Sequence, residues 1–165
     1  MKPITVLLAD DNVMVRKAYK KLLKLEADLQ VVGEAKNGQQ AVTLVKKLRP
    51  VVVLMDVAMP LMNGIEALRQ ILKAVPATKV LMLSTYNEDV YIAEAMNSGA
   101  MGYLIKHTAA DCVCEAIRET NKGRTYFSPS VPKRFHQPKL KKPSLSGCPE
   151  VADLWRWGSG MRNPR

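Results

Sequence analysis

The 165-residue chain has no apolar run long enough to cross a bilayer. Its longest, residues 4–9 broken by Thr5 and residues 51–55, fall far short of the ~20 residues that a span requires. It also lacks a signal-like start. Met1-Lys2-Pro3 and six mostly apolar residues lead straight into Asp10-Asp11, too short and too acidic for a secretory leader, so a cytoplasmic location with no membrane contact is expected. Cysteine is scarce. Cys112 and Cys114 lie two apart and Cys148 far away, which gives neither a disulfide set nor a CxxC zinc spacing, and the three read as reduced thiols. No internal repeat is visible, and the length excludes two large domains.

Acidic residues run out toward the C-terminus. Residues 1–127 hold 17 Lys/Arg and 13 Asp/Glu, a net of +4, whereas residues 128–165 hold 8 and 2, a net of +6, with six of the ten prolines and only 11 apolar residues. That is the composition of a basic linker or tail rather than of a packed core. The chain therefore divides into a domain over residues 1–122 and a basic, proline-rich linker and tail over 123–165, with the shift in composition falling at Phe127-Ser128.

What the first part does have is alternation. Apolar runs rich in β-branched residues, at 4–9, 30–35, 51–55, 79–83 and 101–105, predict five strands covered on both faces. Between them, Val15, Ala18, Leu22 and Leu25 predict one face of a first helix, and Ala41, Leu44, Val45 and Leu48 one face of a second. Further helices are expected over 65–74, 90–96 and 109–121, with glycines and prolines at the joints. Repeated βα units imply an α/β fold with a doubly wound parallel sheet, whose ligands bind beyond the carboxyl ends of the strands. Four of the five strands end there in reactive polar groups: Asp10-Asp11, Asp56, Ser84-Thr85 and Lys106.

Three carboxylates about 4 to 5 Å apart at an effective dielectric near 20 repel one another by roughly 3 to 4 kcal/mol per pair. A hard divalent cation relieves such a cluster best, and Mg²⁺, which keeps waters in its shell of six oxygens, leaves positions for a phosphoryl oxygen. A lysine beside it suggests phosphate chemistry. Taken singly the same residues have plainer readings. Asp11 and Asn12 suit a helix cap, Lys106 a surface lysine, Ser84 a turn, Tyr103 a half-buried aromatic, and Lys17, Lys20, Lys21 and Lys24 a solvated helix face.

Together, LLADDN, the run DVAMPLMNG from Asp56 to Gly64, LMLST, and GYLIK from Gly102 to Lys106 resemble the receiver domain of two-component response regulators over residues 4–122. GYLIKHTAADCVCEAIRETNKGRTYFSPSV further resembles a NarL/FixJ (LuxR-type) receiver entering its interdomain linker. The resemblance implies a flavodoxin-like (βα)5 fold with strand order 2-1-3-4-5. It implies Asp56 as phosphoacceptor, Mg²⁺ on Asp11 and Asp56 with Asp10 assisting and the Ala58 carbonyl as a further ligand, Lys106 and Ser84 on the phosphoryl group, and Thr85 and Tyr103 as switch positions. It also implies a sensor histidine kinase or phosphotransfer domain as donor, with the first helix helping to dock it, an output face on helix four, strand five and helix five, and a possible homodimer. The role is that of a switch rather than a turnover enzyme. His107, where proline is common, and Asn63, where an acid is frequent, depart from the pattern.

Such proteins continue into a helix-turn-helix domain of some 60 residues, and the 38 residues after Phe127 cannot hold one. Glu150, Val151, Leu154 and Gly158 echo only its opening, so the output region reads as truncated or vestigial and DNA binding as lost. The alternatives are an unphosphorylated dimerising module that titrates full-length relatives, an aspartyl-phosphate phosphatase, for which Ala58 stands where a second acid is needed, and a flavodoxin-type cofactor binder, whose phosphate Asp10-Asp11 would repel.

Overall fold

The computed structural model describes residues 2–85 and 88–136, so the tail calls on Cys148, Glu150, Val151, Leu154 and Gly158 lie outside the described residues. Along the chain run β1 (Ile4–Ala9), α1 (Val13–Lys24), β2 (Leu29–Ala35), α2 (Gly38–Leu48), β3 (Val52–Asp56), α3 (Gly64–Ala74), β4 (Lys79–Ser84), α4 (Asp89–Asn97), β5 (Gly102–Ile105), α5 (Lys106–Asn121), β6 (Tyr126–Phe127) and a short 3-10 turn, Lys133–Phe135. The sheet is parallel throughout, in the order β2-β1-β3-β4-β5-β6.

The five expected strands and their order are present, and the sheet has a sixth. After α5 the chain returns along the open edge of β5, where Tyr126 N donates to the Met101 carbonyl (3.1 Å) and Ser128 N to that of Tyr103 (3.1 Å). Gly102 makes this approach possible, because a Cβ there would stand 2.0 Å from the Tyr126 carbonyl oxygen. The packing continues past Ser128. Val131 is buried and Phe127 and Phe135 lie against the core, while Phe127 stacks on the His136 ring at 4.6 Å and Arg134 pairs with Asp89 at the start of α4.

Strand alternation splits the core in two. Val6, Leu8, Val52, Leu54, Leu81, Leu83 and Leu104 face α1 and α5. Leu7, Ala9, Val53, Met55, Val80, Met82, Tyr103 and Ile105 face α2, α3 and α4. α5 starts at Lys106, earlier than its apolar pattern suggests, so β5 passes into the helix without a loop.

The inward face of α1 differs from the expected Val15-Ala18-Leu22-Leu25 stripe. Arg16, Tyr19 and Leu23 are buried, whereas Leu25 is 79% exposed. Val15 and Leu22 lie beside that buried line and border a groove against Lys106 and Ala110 of α5. In α2, Ala41 and Val45 are buried as expected, but Val42 takes the place of Leu48, which is exposed.

Candidate functional site

Because β1 and β3 pair in register, with Ala9 opposite Met55, their next residues emerge side by side at the carboxyl edge. Asp10 continues the phase of Val6 and Leu8, and Asp56 that of Val52 and Leu54, so both carboxylates turn to the α1/α5 side, where Lys106 begins α5. One carboxylate oxygen each from Asp10, Asp11 and Asp56 lies within 4.8 Å of the others, Asp10 and Asp56 buried and Asp11 exposed. Lys106 Nζ stands 2.7 Å from Asp10 Oδ2 and 3.4 Å from Asp56 Oδ2.

The local chain path is held from several sides. Asp10 N donates to the Ala35 carbonyl at 3.0 Å, and Asn12 N to Asp10 Oδ1 at 2.9 Å. Asn12, rather than Asp11, caps α1, its Oδ1 accepting from Met14 N and Val15 N, which leaves Asp11 to the cluster. Just past β3, Ala58 N donates back to Asp56 Oδ1 at 3.3 Å. The loop after β3 folds back so that Gly64 N reaches the Val57 carbonyl at 2.8 Å, and a Cβ on Gly64 would lie 1.9 Å from the Asp56 carbonyl oxygen. Asn63 caps α3, with Oδ1 accepting from Glu66 N at 2.8 Å, which gives this departure from the usual acid a local role.

Electrostatically the cluster is short of positive charge. Burial and the neighbouring Asp10 carboxylate push Asp56 up to about 7, against the opposing pull of Lys106 and the Ala58 amide. Burial lowers the affinity of Lys106 for its proton, but the close ion pair with Asp10 and the charge of Asp56 outweigh it, so its pKa is raised. Three carboxylates against one lysine leave two negative charges when all are ionised, and every donor in the set is a carboxylate oxygen. That set can hold a metal ion, and suits a hard divalent one.

Ser84 and Tyr103 are both fully buried. Tyr103 faces the α2–α4 core, and burial raises the pKa of its hydroxyl although a hydrogen bond with the Ser84 side chain opposes the rise. Thr85 follows β4 and is exposed, and Ala58 sits exposed beyond Asp56. The predicted residues thus divide into Asp10, Asp11, Asp56 and Lys106 in one cluster, and Ser84 and Tyr103 buried on one face of the adjoining strands β4 and β5. Periodicity missed Arg16. Its buried guanidinium sends Nη1 to the Asp10 carbonyl at 2.6 Å and Nε to Glu34 at 3.2 Å, and the available signal was Glu34 on the adjoining strand, the acid that a buried arginine needs.

The description "Response regulator receiver domain" matches residues 6–118. Among curated proteins, the transcriptional regulatory protein LnrK of Bacillus subtilis is 36% identical over 148 residues, 90% of this chain and 67% of that protein. DegU of Brevibacillus brevis is 38% identical over 128 residues, 78% of this chain and 54% of that protein. The chain therefore spans about half to two thirds of the length of these relatives. Among solved structures, the receiver domain of the putative response regulator NarL from Mycobacterium tuberculosis superimposes with a TM-score of 0.72 at 30% identity, covering 75% of this chain and all of that one. A LuxR-family two-component response regulator from Aurantimonas gives 0.75 at 29% identity, covering 79% and 93%. No described helix is long and apolar enough to cross a membrane. A matched receiver description over most of the described chain, together with relatives of LuxR/NarL type, places this protein in the response regulator receiver family of two-component systems.

Proposed function

We propose that this receiver accepts a phosphoryl group on Asp56 in a Mg²⁺-dependent reaction and thereby changes its α4–β5–α5 face. The supporting observation is the convergence of Asp10, Asp11 and Asp56 within 4.8 Å beside the Lys106 ammonium. Asp11, Asp56 and the Ala58 carbonyl would hold the ion, with Asp10 assisting. Bound there, Mg²⁺ would keep Asp56 ionised and offset charge on the phosphoryl oxygens.

An Asp56 carboxylate oxygen attacks phosphorus in line as the bond to the donor's leaving group breaks. For a sensor kinase or phosphotransfer domain the leaving group is a histidine imidazole nitrogen, which keeps the electron pair. Lys106, already between two carboxylates, is placed to pair with the transferred group, so positioning and electrostatics supply the catalysis. Val13, Met14 and Leu61, exposed apolar residues after β1 and β3, give a donor domain a surface to rest on, and the lysines of α1 lie beside it.

Readout passes through Ser84. It is buried on the same side of the sheet as Tyr103 of the adjoining β5, and an Asp56 phosphoryl group would draw its hydroxyl toward the cluster, with Thr85 as neighbour. Moving such an equilibrium from 1:99 to 99:1 takes about 5.5 kcal/mol, within reach of three charge-assisted hydrogen bonds of about 1.5 to 3 kcal/mol made only in the phosphorylated state. Since the described residues end at 136, DNA-binding output is not part of this reading.

The test is intact mass after incubation with Mg²⁺ and a small phosphodonor such as acetyl phosphate. Wild type should gain one phosphoryl group, and Asp56→Asn or omission of Mg²⁺ should abolish the gain. Equal labelling of wild type and Asp56→Asn would refute the assignment.

A further inference from the structure

We infer that Arg16 is a positioning residue for the cation site, holding the Asp10–Asp11 peptide from behind so that both carboxylates stand ready for the ion. The inference rests on the Mg²⁺ reading above. Arg16 lies on α1 with a side chain only 7% exposed, an uncommon place for a charge. Two partners satisfy it there. Nη1 donates to the Asp10 main-chain oxygen at 2.6 Å, and Nε donates to Glu34 Oε1 at 3.2 Å.

The carbonyl it grips belongs to the peptide that joins Asp10 to Asp11. Asp10 N is fixed on the Ala35 carbonyl of β2 at 3.0 Å, and Asp10 Oδ1 accepts from Asn12 N at 2.9 Å. The guanidinium adds a hold on the peptide's oxygen, and rotation of that peptide would swing the exposed Asp11 carboxylate away from Asp56. Lysine would reproduce the hold only in part, because its single nitrogen lacks the spaced, planar fork that here reaches the Asp10 carbonyl through Nη1 and Glu34 through Nε.

The charge arrangement agrees. A bare cation behind a metal site would repel the metal, but Glu34 sits between Arg16 and Lys20, so the triad carries one net positive charge instead of two, and the Lys20 end of it is 53% exposed to solvent. Burial would raise the Glu34 pKa, yet Lys20 and Arg16 more than offset it and keep the group below the ordinary carboxylate range. The result is a relay from β2 through α1 to the metal-binding loop, in the manner of outer residues that orient metal ligands.

The experiment measures MgCl2 binding by calorimetry to unphosphorylated full-length wild type, Arg16→Met, Arg16→Lys and Glu34→Gln. It also measures the Mg²⁺ dependence of labelling by acetyl phosphate and the thermal midpoint of each variant. Arg16→Met should weaken Mg²⁺ binding about tenfold or more. Its half-saturating Mg²⁺ should rise while the rate at saturating Mg²⁺ largely returns. Arg16→Lys should recover only part of the loss, and Glu34→Gln should show a smaller weakening of the same sign. Wild-type Mg²⁺ affinity in folded Arg16→Met, even with a lowered midpoint, would make the role structural only and overturn the inference. Should Arg16→Met not fold, unchanged affinity in Glu34→Gln overturns it instead. A wild-type chain that takes up no Mg²⁺ overturns both this inference and the reading beneath it, whereas uptake equal in wild type and Arg16→Met overturns this inference alone.

Discussion

At the β1–β3 end of the carboxyl edge, three carboxylates converge, a lysine pairs with two of them, and Asp56 is pushed up to about 7 by burial and by Asp10. At the β5–β6 edge the polar groups meet partners within the chain. The Ile105 amide donates to Ser128 Oγ at 2.8 Å, and the Tyr126 and Ser128 amides donate to the Met101 and Tyr103 carbonyls. Lys106 joins the two regions, since it follows Ile105 directly and its ammonium reaches Asp10 and Asp56. One region thus carries an electrostatic cost that an external cation can relieve, and the other finds its partners within the chain. A switch needs both: a place whose energy depends on a ligand, and a frame that does not loosen while the ligand comes and goes.

The sharpest way to break this comparison is to remove the strained charge. Because Asp56 titrates near 7 in the folded protein and near 4 when unfolded, the folded state holds a proton between those pH values that the unfolded chain has lost. The unfolded state then binds fewer protons, so this group's effect on stability worsens as pH rises from about 4 to 7 and is constant above. In metal-free buffer, Asp56→Asn should therefore be more stable than wild type at pH 8, by an amount on the order of 4 kcal/mol at most, and the two should converge near pH 4. Urea unfolding midpoints across that range decide it. Equal stability at pH 8 would mean that the cluster carries no such cost.

Next in size is a matched pair of glycine substitutions. Gly64→Ala places a methyl group 1.9 Å from the Asp56 carbonyl oxygen, and Gly102→Ala places one 2.0 Å from that of Tyr126. Each meets backbone, which cannot rotate away, and each should cost about 2 to 3 kcal/mol. Only Gly64→Ala moves the chain that carries the site, so it should also weaken Mg²⁺ uptake, while Gly102→Ala loosens β6 and leaves uptake intact. Calorimetry on both variants reads the difference, and equal loss of uptake would show that the two regions are mechanically one.

The two regions also differed in how far the amino-acid sequence disclosed them. The carboxylates and Lys106 were legible because strand alternation and the rule that ligands meet strand ends make Asp10, Asp56 and Lys106 neighbours before any contact is known. The β5–β6 edge was not, because a two-residue strand is too short to show a period, and what permits it is the bare Cα of Gly102 opposite Tyr126. Arg16 was hidden for a different reason. Apolar spacing placed Val15, Ala18 and Leu22 inward, while the buried line of α1 is turned by about one residue and includes a guanidinium whose partners, Glu34 and a carbonyl, come from elsewhere in the chain. Periodicity registers apolar side chains and is blind to a charge buried with its counter-charge.

The smallest expected effect tests the self-contained region. Ser128→Ala removes the acceptor of the Ile105 amide at a position where both residues are fully buried. An unpaired buried donor carries a desolvation cost, so the variant should lose about 1 to 2 kcal/mol, read from urea midpoints, and the Ile105 amide should exchange with deuterium faster. Ser128 lies apart from the carboxylates, and Lys106 keeps its contacts with Asp10 and Asp56, so labelling by acetyl phosphate should continue. Loss of labelling on the scale of Asp56→Asn would place Ser128 in the phosphoryl site and end the distinction between the strained region and its frame. Unchanged stability would mean that water replaces the hydroxyl, leaving this edge held by the Tyr126–Met101 and Ser128–Tyr103 backbone hydrogen bonds and by the packing of Phe127 and Val131.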